Sequence, residues 1–307
     1  MTIYVTITRN SQVYQFANSK GVINFGTNAD FPVYIIGTVN WGNAQYKQIF
    51  TRKPYQNGDT YVGFQLEPRV FQLPILTMAS SPEEMMSRRY MLSKIFNYGD
   101  DEILVNVSWS DATGNYARKI RGHVVGGLDF DTDAEHNTLR TVVQIKANDP
   151  TWENGINEDF TISGVIAGTP TLYPKVYPVL YGDNLINKTT LISYDGSWDA
   201  YPTIRATGPI SNLTMVDTQG HVIKFNGSIP TGAVWTIDLS YGVYTVIDQD
   251  GIDQFAALDV SSNLVDWRIY ATPGGNILNN NSISISGTGA SGASLVVLTY
   301  VTRYIGV

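Results

Sequence analysis

Along most of this chain apolar residues alternate with polar ones, and at one place only does their spacing lengthen from two to three and four. Ile103, Val105, Val107 and Trp109 show the period of two, as a half-buried strand requires, and Arg69-Val-Phe-Gln-Leu-Pro-Ile75 reads as another strand. Between them stands Ser81-Pro-Glu-Glu-Met-Met-Ser-Arg-Arg-Tyr-Met-Leu-Ser-Lys-Ile-Phe-Asn-Tyr-Gly99, which predicts a helix over residues 82–98. Ser81 is a good N-cap, Pro82 suits the first turn, Glu84 completes a capping-box pattern, and Gly99 offers a left-handed stop. Met85, Leu92, Ile95 and Phe96 fall on one face of that helix, so it is expected to pack on the flanking strands and to leave Arg88 or Lys94 outside.

The second half lacks any such shift. Its predicted strands are Thr203–Thr207, Leu213–Val216, Val222–Phe225, Val234–Leu239, Val243–Ile247, Leu264–Ile269, Ile283–Ser286 and Ser294–Tyr304. They are separated by Gly, Pro, Asn or Asp at intervals of about 8–12 residues, the spacing of a sandwich or jelly roll, with neither a repeat nor a helix among them. Charge also changes along the chain: residues 1–160 carry 14 Lys/Arg and 17 Asp/Glu, and residues 161–307 carry six and ten. Ala147-Asn-Asp-Pro-Thr-Trp-Glu-Asn-Gly155 lies at the change, and its Asp-Pro pair ends the preceding strand, Thr141 to Lys146. The chain therefore divides into a first domain at 1–155, β-rich with one helix, and a second at 156–307, a β-sandwich.

Composition narrows the function. In 307 residues, 43% are apolar and 15% charged, with 28 Gly and 19 Tyr, which describes a mostly β protein with a substantial core. A net charge of −7 without a basic run argues against gripping nucleic acid. The absence of Cys excludes disulfides and thiolate metal sites. Met1-Thr-Ile-Tyr-Val-Thr-Ile-Thr8 has no signal-peptide character, and no apolar run nears the roughly 20 residues of a membrane helix, so synthesis in a cytoplasm without membrane insertion is expected.

Sequence patterns that promise chemistry fail in their context. Gly287-Thr-Gly-Ala-Ser-Gly292 has the letters of a dinucleotide fingerprint, but a β-branched strand follows where a helix must begin, so a flexible hairpin loop is expected. Asp129-Phe-Asp-Thr-Asp-Ala-Glu-His136 alternates carboxylates, yet Ala134 and Arg140 stand where a calcium loop needs Gly and Glu, which leaves a solvated hairpin tip. His123, His136 and His221 are scattered, and no G-x-S-x-G is present. Asp195-Gly-Ser-Trp198 and Asp248-Gln-Asp-Gly251 read first as turns, although a glycosidase would need such carboxylates at a fixed separation. Tyr194, Trp198, Tyr201, Trp235, Tyr241, Tyr244 and Trp267 contain the makings of a sugar-stacking platform, with the sandwich interior as the ordinary destination for such rings. The expectation is no catalytic, cofactor or metal residue.

The order of several motifs resembles the distal tail protein of long-tailed, non-contractile bacteriophages. In the first half they are Tyr55-Gln-Asn-Gly-Asp-Thr60, Arg69 to Ile75, Arg88-Arg89-Tyr90-Met91-Leu92 in the helix, Arg118-Lys-Ile-Arg-Gly122 and Asn148-Asp-Pro-Thr-Trp152. In the second they are Tyr201-Pro-Thr-Ile204, Gly208-Pro209, Gly220, Trp235-Thr-Ile-Asp238, Asp250-Gly251, Trp267-Arg-Ile269, Pro273-Gly-Gly-Asn276 and the last strand. The resemblance implies an N-terminal sandwich or split-barrel-like domain with one helix and a C-terminal galectin-like jelly roll. It further implies a non-enzymatic virion component at the tail tip, assembled in the host cytoplasm as a hexameric ring. Such a ring joins the tail tube to the tail-associated hub protein and, in some phages, to receptor-binding proteins, and DNA passes its channel without being held. An acidic or neutral lumen is therefore expected, with Asp100–Glu102 or Asp129–Glu135 as candidate lining. Two alternatives of other classes are a carbohydrate-binding module for host-surface glycans and an exolytic tail-tip enzyme. The chain leaves the family's pattern chiefly over the stretch Trp152 to Tyr194.

Overall fold

The computed structural model describes residues 3–9, 11–17, 23–24, 30–31, 33–35, 40–99, 101–110, 114–133, 137–163, 185–272 and 274–306. The chain forms two compact units, Met1–Gly155 with Tyr304–Val307, and Ile156–Arg303. The sequence division placed 304–307 in the second domain. The structure corrects this, because the Arg118 guanidinium lies 3.5 Å over the Tyr304 ring and the Ala44 N–H donates to the Ile305 carbonyl at 3.2 Å.

The elements up to the boundary are β1 (Ile3–Arg9), β2 (Gln12–Ala17), β3 (Ile23–Asn24), β4 (Asp30–Phe31), β5 (Val33–Ile35), β6 (Tyr46–Thr51), β7 (Thr60–Leu66), β8 (Arg69–Met78), α1 (Pro82–Ile95), β9 (Ile103–Ser110), β10 (Asn115–Gly127), β11 (Asp131–Asp133), β12 (Thr138–Ala147) and β13 (Trp152–Ser163). Seven strands follow one another by hydrogen bonding in the order β12-β8-β5-β2-β1-β9-β10, and β10 returns to β12, so the path closes as a barrel. Closure depends on β10 serving two neighbours: Asn115–Gly122 pairs with β9, and His123–Gly127 pairs with β12 across a bulge between Val124 and Gly126. The backbones come close at this corner. A Cβ on Gly122 would sit 2.7 Å from the Lys146 carbonyl oxygen, and one on Gly127, at φ +97, only 1.9 Å from that of Val142, so both positions demand glycine.

Alternation delivers Val5 and Ile7, Phe71, Leu73 and Ile75, Ile103, Val105 and Val107, and Leu139, Val143 and Ile145 to one core. Helix α1 adds Met85, Leu92, Ile95 and Phe96, the face read from the sequence. Its N-terminus is built as expected at Ser81, whose Oγ accepts from the Glu84 N–H at 3.2 Å. The Glu84 carboxylate, however, reaches one residue beyond the capping-box position and accepts the Ser80 N–H at 2.7 Å. Arg88 is buried rather than exposed, donating to Thr77 Oγ1 at 3.1 Å and paired with Glu84, while Lys94 is exposed. The helix also stops at Ile95, short of 98. Gly99 is absent from the left-handed positions because Arg9 of β1 supplies the stop, donating to the Ile95 and Asn97 carbonyls at 2.9 and 2.7 Å. Gly99 serves that arrangement by lacking a Cβ, which would lie 3.0 Å from the Arg9 guanidinium.

The second unit contains β14 (Ile186–Ile192), β15 (Thr203–Thr207), β16 (Ile210–Val216), β17 (Val222–Lys224), β18 (Ser228–Ile229), β19 (Val234–Asp238), β20 (Thr245–Asp248), β21 (Asn281–Thr288) and β22 (Leu295–Tyr304). One antiparallel sheet runs β14-β21-β16-β17 with β18 on β16, and a second run goes β22-β15-β19-β20. Their inward residues, among them Ile204, Ile237 and Leu298 from one and Leu213, Met215 and Ile285 from the other, share a single core, which makes the sandwich. β14 went unread in the sequence, and 164–184 lies outside the described residues. Leu264–Ile269 is not a strand: the Asn263 side chain accepts the Asp266 N–H at 3.0 Å and turns the chain, and only the bridge of Ile269 to Ala200 remains. A 3-10 turn, Phe255–Ala257, stands in the half where no helix was expected.

Candidate assembly surface

β6 and β7 form a two-stranded sheet of their own, apart from the barrel. Their register sets Tyr46 opposite Leu66, Gln48 opposite Phe64 and Phe50 opposite Tyr61, with a bulge between Ile49 and Phe50. Edge-on ring contacts at 6.0 Å (Tyr46–Phe64) and 5.8 Å (Phe50–Tyr61) hold the two strands together. Every residue of β6 is exposed, and Tyr46 58%, Phe50 51%, Tyr61 54%, Val62 61% and Phe64 50% face solvent. A lone hairpin is marginal in water, and a large contiguous apolar surface on a folded unit marks a contact site. The tip is ordered by its own hydrogen bonds: Gln56 Nε2 to Thr60 Oγ1 at 2.7 Å, and the Lys53 N–H to Gln56 Oε1 at 3.1 Å. Tyr55 stands there fully exposed, in a left-handed conformation at φ 65.

The sequence contributed only Tyr55–Thr60 of this surface. Its overlooked signal is the broken alternation of Tyr-Lys-Gln-Ile-Phe-Thr and Thr-Tyr-Val-Gly-Phe-Gln-Leu, which place apolar side chains on both faces of the ribbon and so leave no face to point at a core.

The residues singled out for chemistry are dispersed. Asp131–Asp133 is strand β11, paired with Thr138–Arg140, with Asp129 and Asp131 exposed; 134–136, and so His136, lie outside the described residues. No cluster of His, Asp or Glu suited to a metal occurs among the described residues. The 287–292 loop corrects the hairpin reading, because it carries the chain from β21 in one sheet to β22 in the other. It is pinned as well: Ser294 Oγ donates to the Pro209 carbonyl at 2.7 Å and accepts the Ser291 N–H at 2.8 Å.

His123 lies on β10, while His221 joins a cluster in which its Nδ1 is 2.9 Å from the buried Asp217 carboxylate and 2.8 Å from the Tyr270 hydroxyl. Burial and the Asp217 carboxylate push the Tyr270 phenol well above its ordinary range, with its hydroxyl 2.8 Å from Asp217 Oδ2 and 2.8 Å from the Asp266 carbonyl. Asp248 accepts the Asp250 and Ile252 N–H groups, both at 2.9 Å, and is a turn. Of the aromatic platform, Tyr194, Trp235 and Trp267 are core, while Tyr201 and Tyr241 meet at 5.9 Å with Tyr241 exposed. No helix among the described residues is long and apolar enough to cross a membrane.

No protein-family model matches the chain, and no curated protein matches it. Among solved structures it is similar to the SPP1 Dit (gp 19.1) protein, described as a paradigm of hub adsorption apparatus in Gram-positive infecting phages, at 10% identity and a TM-score of 0.61, covering 96% of this chain and 98% of that one. A chain of the phage P2 baseplate in its activated conformation with Ca also aligns, at 10% identity over 93% of this chain and 98% of that one, with a TM-score of 0.43, too low to argue from. Near-complete coverage in both directions at 0.61 spans the barrel, the helix and the sandwich together: the chain has the fold of a phage distal tail protein.

Proposed function

We propose that this protein is a structural component of a phage tail tip, that copies of it close into a ring of six, and that the ring joins the tail tube to the tail-associated hub protein, with receptor-binding proteins as further partners. The observation that carries the proposal is the β6–β7 hairpin, an apolar ribbon that its own barrel does not cover. The natural occupant is a second copy: a hairpin on one protomer that meets a different surface on the next makes a head-to-tail contact, which repeats until a ring closes. Residues 1–155 then supply most of the contact. DNA passes through without being gripped, as the acidic balance of residues 1–160 favours. Native mass measurement and negative-stain imaging of the purified protein test this, and six-fold rings are expected. A monomer at high micromolar concentration, together with no ring in a tail preparation, would reject it.

A further inference from the structure

Arg69 opens β8 and is 4% exposed, yet its partners are main-chain carbonyls rather than a carboxylate. Nε donates to the Pro150 carbonyl at 3.0 Å, Nη1 to those of Asn40 and Gly42 at 3.1 and 2.6 Å, and Nη2 to that of Ile305. Burial pulls the guanidinium from its ordinary value down to about 10, which still leaves it charged at neutral pH. Beneath it, at 5.9 Å, lies the Trp152 ring, which packs on Trp41 and Phe71 at 5.7 and 6.0 Å. One planar fork thus gathers three segments remote in sequence, around residues 40–42, 150 and 305. A buried cation is tolerable only with such compensation, and loss of the fork would take this donor from the Pro150, Asn40 and Gly42 carbonyls at once.

Two of these segments bear directly on the hairpin. Asn40–Ala44 runs into β6, and the Ala44 N–H is taken by the Ile305 carbonyl at 3.2 Å. Among the described residues the strands pair in the sheet topology only with each other, so their direction is set at the root. Gly306 packs there without space to spare: a Cβ on it would lie 2.9 Å from the Gly42 carbonyl carbon and 3.1 Å from the Asn43 nitrogen. Tyr304 is held from the other side by Arg118.

We propose that Arg69 and the segment Tyr304–Gly306 form a latch that fixes the root of the β6–β7 hairpin, so that Arg69 is a positioning residue for the surface it holds out. Its consequence for assembly rests on the ring reading above; the latch itself does not. The test is hydrogen–deuterium exchange on the full chain and two variants. Arg69→Lys keeps the charge but loses the fork, and Gly306→Val keeps Arg69 while wedging the segment off Gly42. Exchange in peptides covering 41–51 and 60–68 should rise at least about tenfold in both variants, while β9 amides, in the barrel core, keep their wild-type rates. Unchanged exchange at the root in Gly306→Val, or an equal rise in β9, would show a merely structural residue and overturn the latch. Should Arg69→Lys fail to fold, Gly306→Val decides alone. In native mass measurements of the same samples, both variants should form rings only at about tenfold higher concentration. Wild type that forms no ring overturns the ring reading, and exchange still judges the latch.

Discussion

Helix α1 and the β6–β7 hairpin belong to one unit and are both rich in large apolar side chains, but they dispose of them in opposite ways. The helix sends Met85, Leu92, Ile95 and Phe96 into the barrel core, at 7% exposure or less. The hairpin keeps Tyr46, Phe50, Tyr61 and Phe64 about half exposed. Burial of one such side chain stabilises by about 1.5–3 kcal/mol. The helix therefore contributes to the folding of a single chain, whereas in the proposed ring the hairpin holds the same kind of free energy in reserve for association. A substitution should thus act on stability in the first region and on assembly in the second.

The largest effect is expected where the reserve is removed. Phe50→Asp combined with Tyr61→Ser should abolish rings, since truncating interface anchors of this size costs about 2 kcal/mol or more each, while the barrel melts within a few degrees of wild type. Native mass measurement and a thermal melt on one sample read both. Persistence of rings would mean that another surface carries the contact.

The complementary change is Leu92→Ala, which should lower stability by about 2–5 kcal/mol through lost burial and the cavity left behind. A loss under about 0.5 kcal/mol in denaturant melts would contradict the inward face. If Leu92→Ala affected assembly more than stability, the contrast between the two regions would break.

The contrast also explains what the sequence disclosed. Period two and period 3.6 are consequences of burial against the chain's own core, so β9, β12, β15 and the inner face of α1 were legible. Features fixed by distant partners were not. The helix ends at Ile95 because Arg9 approaches from β1, a contact across more than 80 residues that leaves Gly99 as a misleading local stop. Leu264, Trp267 and Ile269 are buried like strand residues, but the Asn263 side chain bends the backbone they sit on. The hairpin was hardest to read because its core lies on another molecule in the proposed ring, so its residues follow no period that one chain can explain. The Arg69 latch was equally silent, since carbonyls of residues 40, 42, 150 and 305 carry no side-chain signature.

A smaller effect should appear at the N-terminus of α1 in acid. Hydrogen bonds from the Ser80 side chain and backbone, then from Arg88, hold the Glu84 carboxyl down at about 2. The group is depressed in the folded state, so its contribution is present above its ordinary value of 4.5 and is lost as pH falls from there toward about 2. Glu84→Gln should flatten the acid limb of the stability profile between those values and leave assembly at neutral pH unchanged. An acid limb identical to wild type would show that the Ser80 and Arg88 contacts do not hold in solution.

The smallest expected effect is none at all, at the two loops whose letters promised ligands. The 287–292 loop leads to Ser294, which spends its hydroxyl on the Pro209 carbonyl and the Ser291 N–H, and the chain then enters β22 rather than the helix whose N-terminus a pyrophosphate needs. Asp131–Asp133 is a strand that pairs with Thr138–Arg140, not a loop wound around a cation. A ligand that binds only the folded chain stabilises it by about 2.7 kcal/mol at a hundredfold excess over Kd, which a thermal melt resolves easily. Calcium and NAD should each leave the melting temperature unchanged. A reproducible rise with calcium that Asp131→Asn removes, or with NAD that Gly289→Val removes, would make that loop a binding site, and the hairpin would then share the role of interaction surface with it.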